Sequence, residues 1–191
     1  CSNEDVSLYL GSNFHYVIYP VNQNNECNFI SIIRKKISND KIMDNNSFND
    51  KHYTNSIMND LSIKVPDTIM SKLKDIKIFP IFVSEKIKIP QKQNVYFIGD
   101  ALFTSQPTFA QGASQSIETA KELFNQIENN QNTFYEKRLN RFKSINWRSK
   151  FNYFSFHLSN PITVFFRNLL LKILIKNKIF LSIYLGKVYK N

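Results

Sequence analysis

The run Asn94-Val95-Tyr96-Phe97-Ile98-Gly99-Asp100-Ala101, then Pro107, then Ala110-Gln111-Gly112-Ala113-Ser114, is the most informative stretch of this chain. Asn94–Ile98 is a short, almost continuously apolar segment, which suits a strand buried on both faces. It stops at Gly99-Asp100-Ala101. A loop follows, and Gly112-Ala113-Ser114 opens a helix expected to run to about Glu128. Ile117, Ala120, Leu123, Phe124 and Ile127 form its apolar stripe, and Asn129-Asn130-Gln131-Asn132 ends it. An Asp at the carboxyl end of a buried strand accepts hydrogen bonds from vicinal hydroxyls. Gly112 at a helix start permits close backbone approach, and the free N–H groups there suit an anionic group. A polyol acceptor and an anion-stabilising pole within one short unit match the two parts of a flavin: a ribityl chain, and a ring that becomes negative on reduction.

Upstream of this stretch the pattern is that of short strands. Tyr9–Gly11 and Phe14–Pro20 alternate, with a turn at Gly11-Ser12-Asn13, and Cys27–Ile33 reads as the return strand of a hairpin. Phe14, Tyr16 and Ile18 share one face; His15, Val17 and Tyr19 share the other. Asp40–Asn59 is polar and Asn-rich with a weak helical pattern. Pro66-Asp67 opens a short helix over Thr68–Asp75, and Ile76–Val83 is strand-like but broken by Pro80. Downstream, a second helix is expected from Thr133. Pro161 starts a final helical segment over Ile162–Leu185, with Arg167, Asn168, Lys172 and Lys176 near one face and Phe165, Leu169 and Ile173 near another. Charge interrupts it too often for a membrane span. Packing on the body of the protein, or lying on a membrane or a partner, are both open to it.

The chain has 191 residues, with 42% hydrophobic and 14% aromatic residues, enough for a packed core. The net charge of +10 is local. Residues 1–133 carry 13 Lys and Arg against 14 Asp and Glu, whereas residues 134–191 carry 12 against one, Glu136. Twenty of the 25 basic residues are Lys, and base readout and bidentate phosphate binding favour Arg, so no nucleic-acid partner is expected. Two cysteines, Cys1 and Cys27, make no disulfide framework and no metal cluster, and a reducing, cytoplasmic compartment is the expectation. Cys27 reads as a small buried hydrophobe and Trp147 as an anchor of helix packing. The first residue is Cys; a lipid-bearing terminus and an upstream part missing from the sequence are the two readings, and the second is preferred.

Asn94–Leu123 resembles the second flavin-binding motif of the class A FAD-dependent aromatic monooxygenases, especially the salicylate hydroxylase-like branch. The residues that match are Val95–Ala101, Pro107, Ala110–Ala113, Ile117-Glu118 and Ala120. Leu10-Gly11, His15–Pro20 and Asn28–Ile30 are similar to that family's substrate-domain hairpin. Phe156-His157-Leu158, Pro161 and Arg167-Asn168 form a third, weaker likeness in the same order. In place of the family's Gly-Asp-Ala-Ala-His-Pro, this chain has Gly99-Asp100-Ala101-Leu102-Phe103-Thr104, and it has no Gly-x-Gly-x-x-Gly.

The resemblance implies a fold and a set of roles. The fold class is α/β: a partial substrate-binding sheet over residues 1–90, the strand, loop and helix of an FAD-binding, Rossmann-like domain over 91–132, and a basic helical region over 133–191. Asp100 would bind the ribityl hydroxyls of FAD. Gly112, Ala113 and Ser114 would face the ring, with Ala101 and Pro107 shaping the loop. His15 would act on an aromatic or quinone-precursor substrate as base or hydrogen-bond partner, and Tyr19 would line its pocket. NAD(P)H would reduce the flavin, and O2 would form the C4a-hydroperoxide that hydroxylates the ring. No metal is implied. As the C-terminal half of such an enzyme, the chain alone is not expected to be active. The alternative is a non-catalytic basic protein of the same fold, binding a membrane surface or a protein partner through residues 134–191.

Overall fold

The computed structural model describes residues 5–22, 26–39, 48, 50–87, 89–90 and 95–189. The chain is mixed α and β, with one small antiparallel sheet and a larger helical part. It divides into two compact units: Cys1–Pro80 with Phe156–Asn160, and Ile81–Ser155 with Pro161–Asn191.

The first unit is built on the sheet β1 (Ser7–Gly11), β2 (Phe14–Pro20) and β3 (Cys27–Ile33), in that spatial order. The hairpin turn needs its residues. Asn13 adopts φ 60°, and a Cβ on Gly11 would lie 1.9 Å from the Phe14 ring. Gly11 stands opposite Phe14, which stands opposite Ile33 on the other side. Phe14 and Tyr16 then form a core with Ile57, Leu61 and Val65, and Ile18 packs against it. Ile57 and Leu61 come from α1 (Lys51–Ser62), whose first turn is capped by Asp50 Oδ2 accepting from Tyr53 N–H at 3.1 Å. A full helix thus occupies the end of a segment whose helical pattern is weak in sequence; residues 40–47 and 49 of that segment lie outside the described residues.

Several sequence expectations in this part need correction. The helix expected over Thr68–Asp75 is only α2 (Asp67–Met70), and the chain turns at Asp75 with φ 51°. Ile76–Val83 is irregular, not a strand; Phe79 and Phe82 are exposed. Pro80 removes a ladder donor, and no neighbouring strand among the described residues pairs with the run. Cys27 is exposed and disulfide-bonded, so it is neither buried nor a free thiol. Its strand lies at the sheet edge, where alternate side chains point outward.

The second unit contains α3 (Gly99–Leu102), a 3-10 turn (Pro107–Phe109), α4 (Gly112–Glu128), α5 (Phe134–Phe156), α6 (Pro161–Leu174) and α7 (Lys178–Tyr189). Leu102, Phe103 and Phe134 form its buried apolar cluster, with Tyr96, Phe97 and Leu123 against them. Leu102 and Phe103 are therefore core residues. Val95–Ile98 is not a buried strand. Ile98 is extended, but Val95 and Ile98 are 41% and 42% exposed, and no strand among the described residues pairs with the run. Asn94 lies outside the described residues.

Helix α4 has the expected limits but not the expected facing. Ile117, Phe124 and Ile127 of its apolar stripe are exposed, Ala120 is exposed, and only Leu123 is half-buried. The polar face meets α5 instead. Arg138, 3% exposed, donates Nη2–H to Gln115 Oε1 at 2.6 Å and lies 3.1 Å from Glu118 and 3.4 Å from Glu122. Arg141 Nε–H donates to Glu118 Oε1 at 2.7 Å. A desolvated guanidinium surrounded by acceptors fixes which side of α4 turns inward, and the stripe is left outside.

The final segment is two helices. Asn177 Oδ1 accepts from Phe180 N–H at 3.0 Å and so starts α7 afresh. Phe165, Leu169 and Ile173 do not pack on the body; all three are exposed. Trp147 is 63% exposed and stacks on Phe151, so it is a surface ring and not a packing anchor.

Candidate functional site

The candidate flavin-facing site lies in the second unit and begins at Gly99. Gly99 has φ +56°, a left-handed conformation, and a Cβ there would meet Ser116 Oγ at 2.7 Å. The left-handed φ selects glycine, and the close approach crowds the Ser116 hydroxyl. The Gly99-Asp100 turn packs directly on the opening turns of α4. Phe103 N–H and Thr104 Oγ–H bond back to the carbonyls of Gly99 and Asp100, at 3.0 and 3.1 Å, so the turn is closed on itself. The Asp100 carboxylate is exposed and makes no hydrogen bond or ion pair among the described residues.

The loop from Leu102 to Gln111 is held from several directions. Thr104 and Ser84 bond reciprocally, Ser84 N–H to Thr104 O at 2.9 Å and Thr104 N–H to Ser84 Oγ at 3.1 Å. Pro107 starts the 3-10 turn, which ends at Ala110 with φ 51°. Buried Thr108 donates its hydroxyl to Ser149 O at 2.7 Å, and its carbonyl accepts from Asn152 Nδ2–H at 3.1 Å. Gln111 is buried, and Gly112, Ala113 and Ser114 beyond it are exposed. No side chain caps α4, and nothing lies within 4 Å of the position of a Gly112 Cβ. The mouth of this helix is therefore open, with backbone N–H groups unclaimed by any capping side chain.

These residues fit a flavin. The free carboxylate of Asp100 is an acceptor-only group matched to hydroxyl donors. The Gly112-Ala113-Ser114 opening presents N–H donors and no bulk, as an anionic ring edge requires. Ala101 and Pro107 are exposed on the same loop. Among the described residues no group of three or more His, Cys, Asp or Glu could hold a metal ion.

His15 and Tyr19 belong to the first unit. His15 is 2% exposed, and its Nδ1 lies 2.9 Å from Nε2 of His157, which is 4% exposed. The Phe156 ring meets His15 edge-on at 5.2 Å. Burial, and then the neighbouring His157, lower the His15 pKa to about 4; burial, and then the Arg34 charge, lower that of His157, while a hydrogen bond that its ring donates to the Ile32 backbone opposes the shift. Both rings are neutral at pH 7, and a ring so weakly basic and closed off is unsuited to deprotonate a phenol. Tyr19 is half-buried, and its hydroxyl accepts from Asn28 Nδ2–H at 2.7 Å. His157, which belongs to the third and weaker likeness, is the partner of His15. The signal was thin: an apolar-flanked His just before Pro161, 142 residues from its mate. His52 is exposed.

No helix among the described residues is long and apolar enough to cross a membrane. No protein-family model, curated protein or solved structure matches the chain.

Proposed function

We propose that the second unit is the flavin-facing part of an FAD-dependent monooxygenase that hydroxylates an aromatic substrate with O2 and NAD(P)H. The observation that carries the reading is the Gly99 turn. Its left-handed φ and its close approach to Ser116 join a free carboxylate to an open, uncapped helix mouth. When bound, the flavin accepts hydride and activates O2. The chain binds and orients. Asp100 accepts hydrogen bonds from the polyol chain. The first N–H groups of α4 stabilise negative charge on the ring edge, and Gly112 lets the ring approach. The uncovered stripe of α4 and the unpaired Val95–Ile98 run support the same reading, because both are surfaces that a sheet of a nucleotide-binding domain covers. His15 and Tyr19 are assigned to the substrate side by the resemblance alone, and no proton transfer is assigned to His15.

Riboflavin carries the ring and the ribityl chain without the nucleotide, so it probes this unit directly. Titration should quench riboflavin fluorescence saturably, and Asp100→Ala should weaken binding about tenfold, the scale of a hydrogen bond to a charged acceptor. Equal affinity for Asp100→Ala removes Asp100 from the site.

A further inference from the structure

We propose that the exposed apolar faces of α6 and α7 dock on the surface of an anionic lipid bilayer. The inference does not rest on the flavin reading. On α6, Ile162, Phe165, Phe166, Leu169, Leu170 and Ile173 recur at the spacing of a single helical face, and they are between 48% and 67% exposed. The facing is fixed from behind. Arg167, 9% exposed, donates Nη1–H to Ser155 O at 3.2 Å. Helix α7 repeats the arrangement. Tyr184 is held through its hydroxyl by Asn152, through its ring by Phe109, and through its carbonyl by Arg148 Nε–H at 3.2 Å. Ile179 and Ile183, one turn apart, are left 72% and 61% exposed.

Charge selects the occupant. Residues 161–191 contain one Arg, five Lys and no Asp or Glu. Lys172, Lys176 and Lys178 are exposed. A second copy of the same face would bring like charges together. An anionic bilayer attracts each cation, takes up the apolar stripe, and lets Lys stems lie along it with their ammonium groups at the headgroups. Helix α6 has 14 residues and α7 has 12, short of the roughly 20 needed to span hydrocarbon. Both therefore lie in the plane of the interface.

Flotation of the full chain with phosphatidylcholine vesicles, with and without phosphatidylserine, tests this. Binding should be on the order of tenfold stronger with phosphatidylserine and should weaken as salt rises. Phe165→Asp with Ile173→Asp should lose binding by a similar factor while circular dichroism stays unchanged, since both side chains are at the surface. Lys172→Glu with Lys178→Glu should abolish the preference for phosphatidylserine. No flotation with phosphatidylserine, or unchanged flotation of the Phe165→Asp, Ile173→Asp protein, overturns the proposal. So does a dimer in sedimentation that these substitutions dissociate without any lipid binding.

Discussion

The two units solve the burial problem in opposite ways. In the first, the apolar side of β2 is covered by α1, and Phe14, Tyr16, Ile57 and Leu61 meet as the alternating and helical patterns dictate. In the second, a polar cluster lies inside: Arg138 joins Gln115, Glu118 and Glu122, while Ile117, Phe124 and Ile127 face outward. A hydrophobic stripe marks a surface to be covered, not the neighbour that covers it. A buried guanidinium with carboxylates beside it can orient a helix against its own apolar pattern, because leaving that charge unpaired costs more than exposing a few aliphatic groups.

The comparison breaks most sharply at Arg138. Arg138→Ala should destabilise the second unit by about 1–3 kcal/mol, because it empties a buried position and removes the cation beside the half-buried Glu118 and Glu122. Glu118 shows the dependence: burial pushes its carboxyl up, but the Arg141 hydrogen bond and the charges of Arg138 and Arg141 outweigh this and hold it below the usual range. Urea unfolding followed by Trp147, the single tryptophan, reads this unit.

The first unit should respond instead to pH. The folded His15 titrates at about 4 against 6.5 when free, and His157 is also lowered. Between those values the unfolded chain binds more protons, so stability is full above about pH 6.5 and falls as pH drops toward 4. The groups facing the pair are each other and Arg34. The loss should reach roughly 2 kcal/mol, allowing for solvent screening. Amide exchange along β2 measures it, and His15→Asn should flatten the slope. The smallest effect sharpens the contrast from the other side: Phe124→Ser, at a position 63% exposed, should change stability in the same Trp147-monitored unfolding by less than about 0.5 kcal/mol.

What was legible in the sequence follows the same division. The strands of the hairpin were readable because Phe14–Pro20 alternates and Ser12-Asn13 can turn; Cys27–Ile33 matched residue for residue. The limits of α4 were readable from Gly112 and Asn129. Its facing was not, because Arg138 lies in another helix. The break before α7 had a local signal, Asn177 as a cap, hidden inside an apolar run. The apolar run at Val95–Ile98 suggested a buried strand that does not form: Ile98 is extended, but pairing and burial depend on neighbours that the run itself does not specify. At the candidate site, Asp100 and Gly112 were readable from their order along the chain, whereas the Gly99–Ser116 approach and the His15–His157 pair are tertiary facts.

The most direct test of the flavin reading is Gly112→Val, measured by riboflavin titration beside a thermal melt of the same protein. Gly112 has ordinary φ and empty space around a Cβ, so the variant should melt as the parent does. Its added bulk fills the helix mouth, so riboflavin binding should fall by about tenfold or more. An unaltered melt with unaltered riboflavin binding would contradict the account, because the ring would then lie elsewhere.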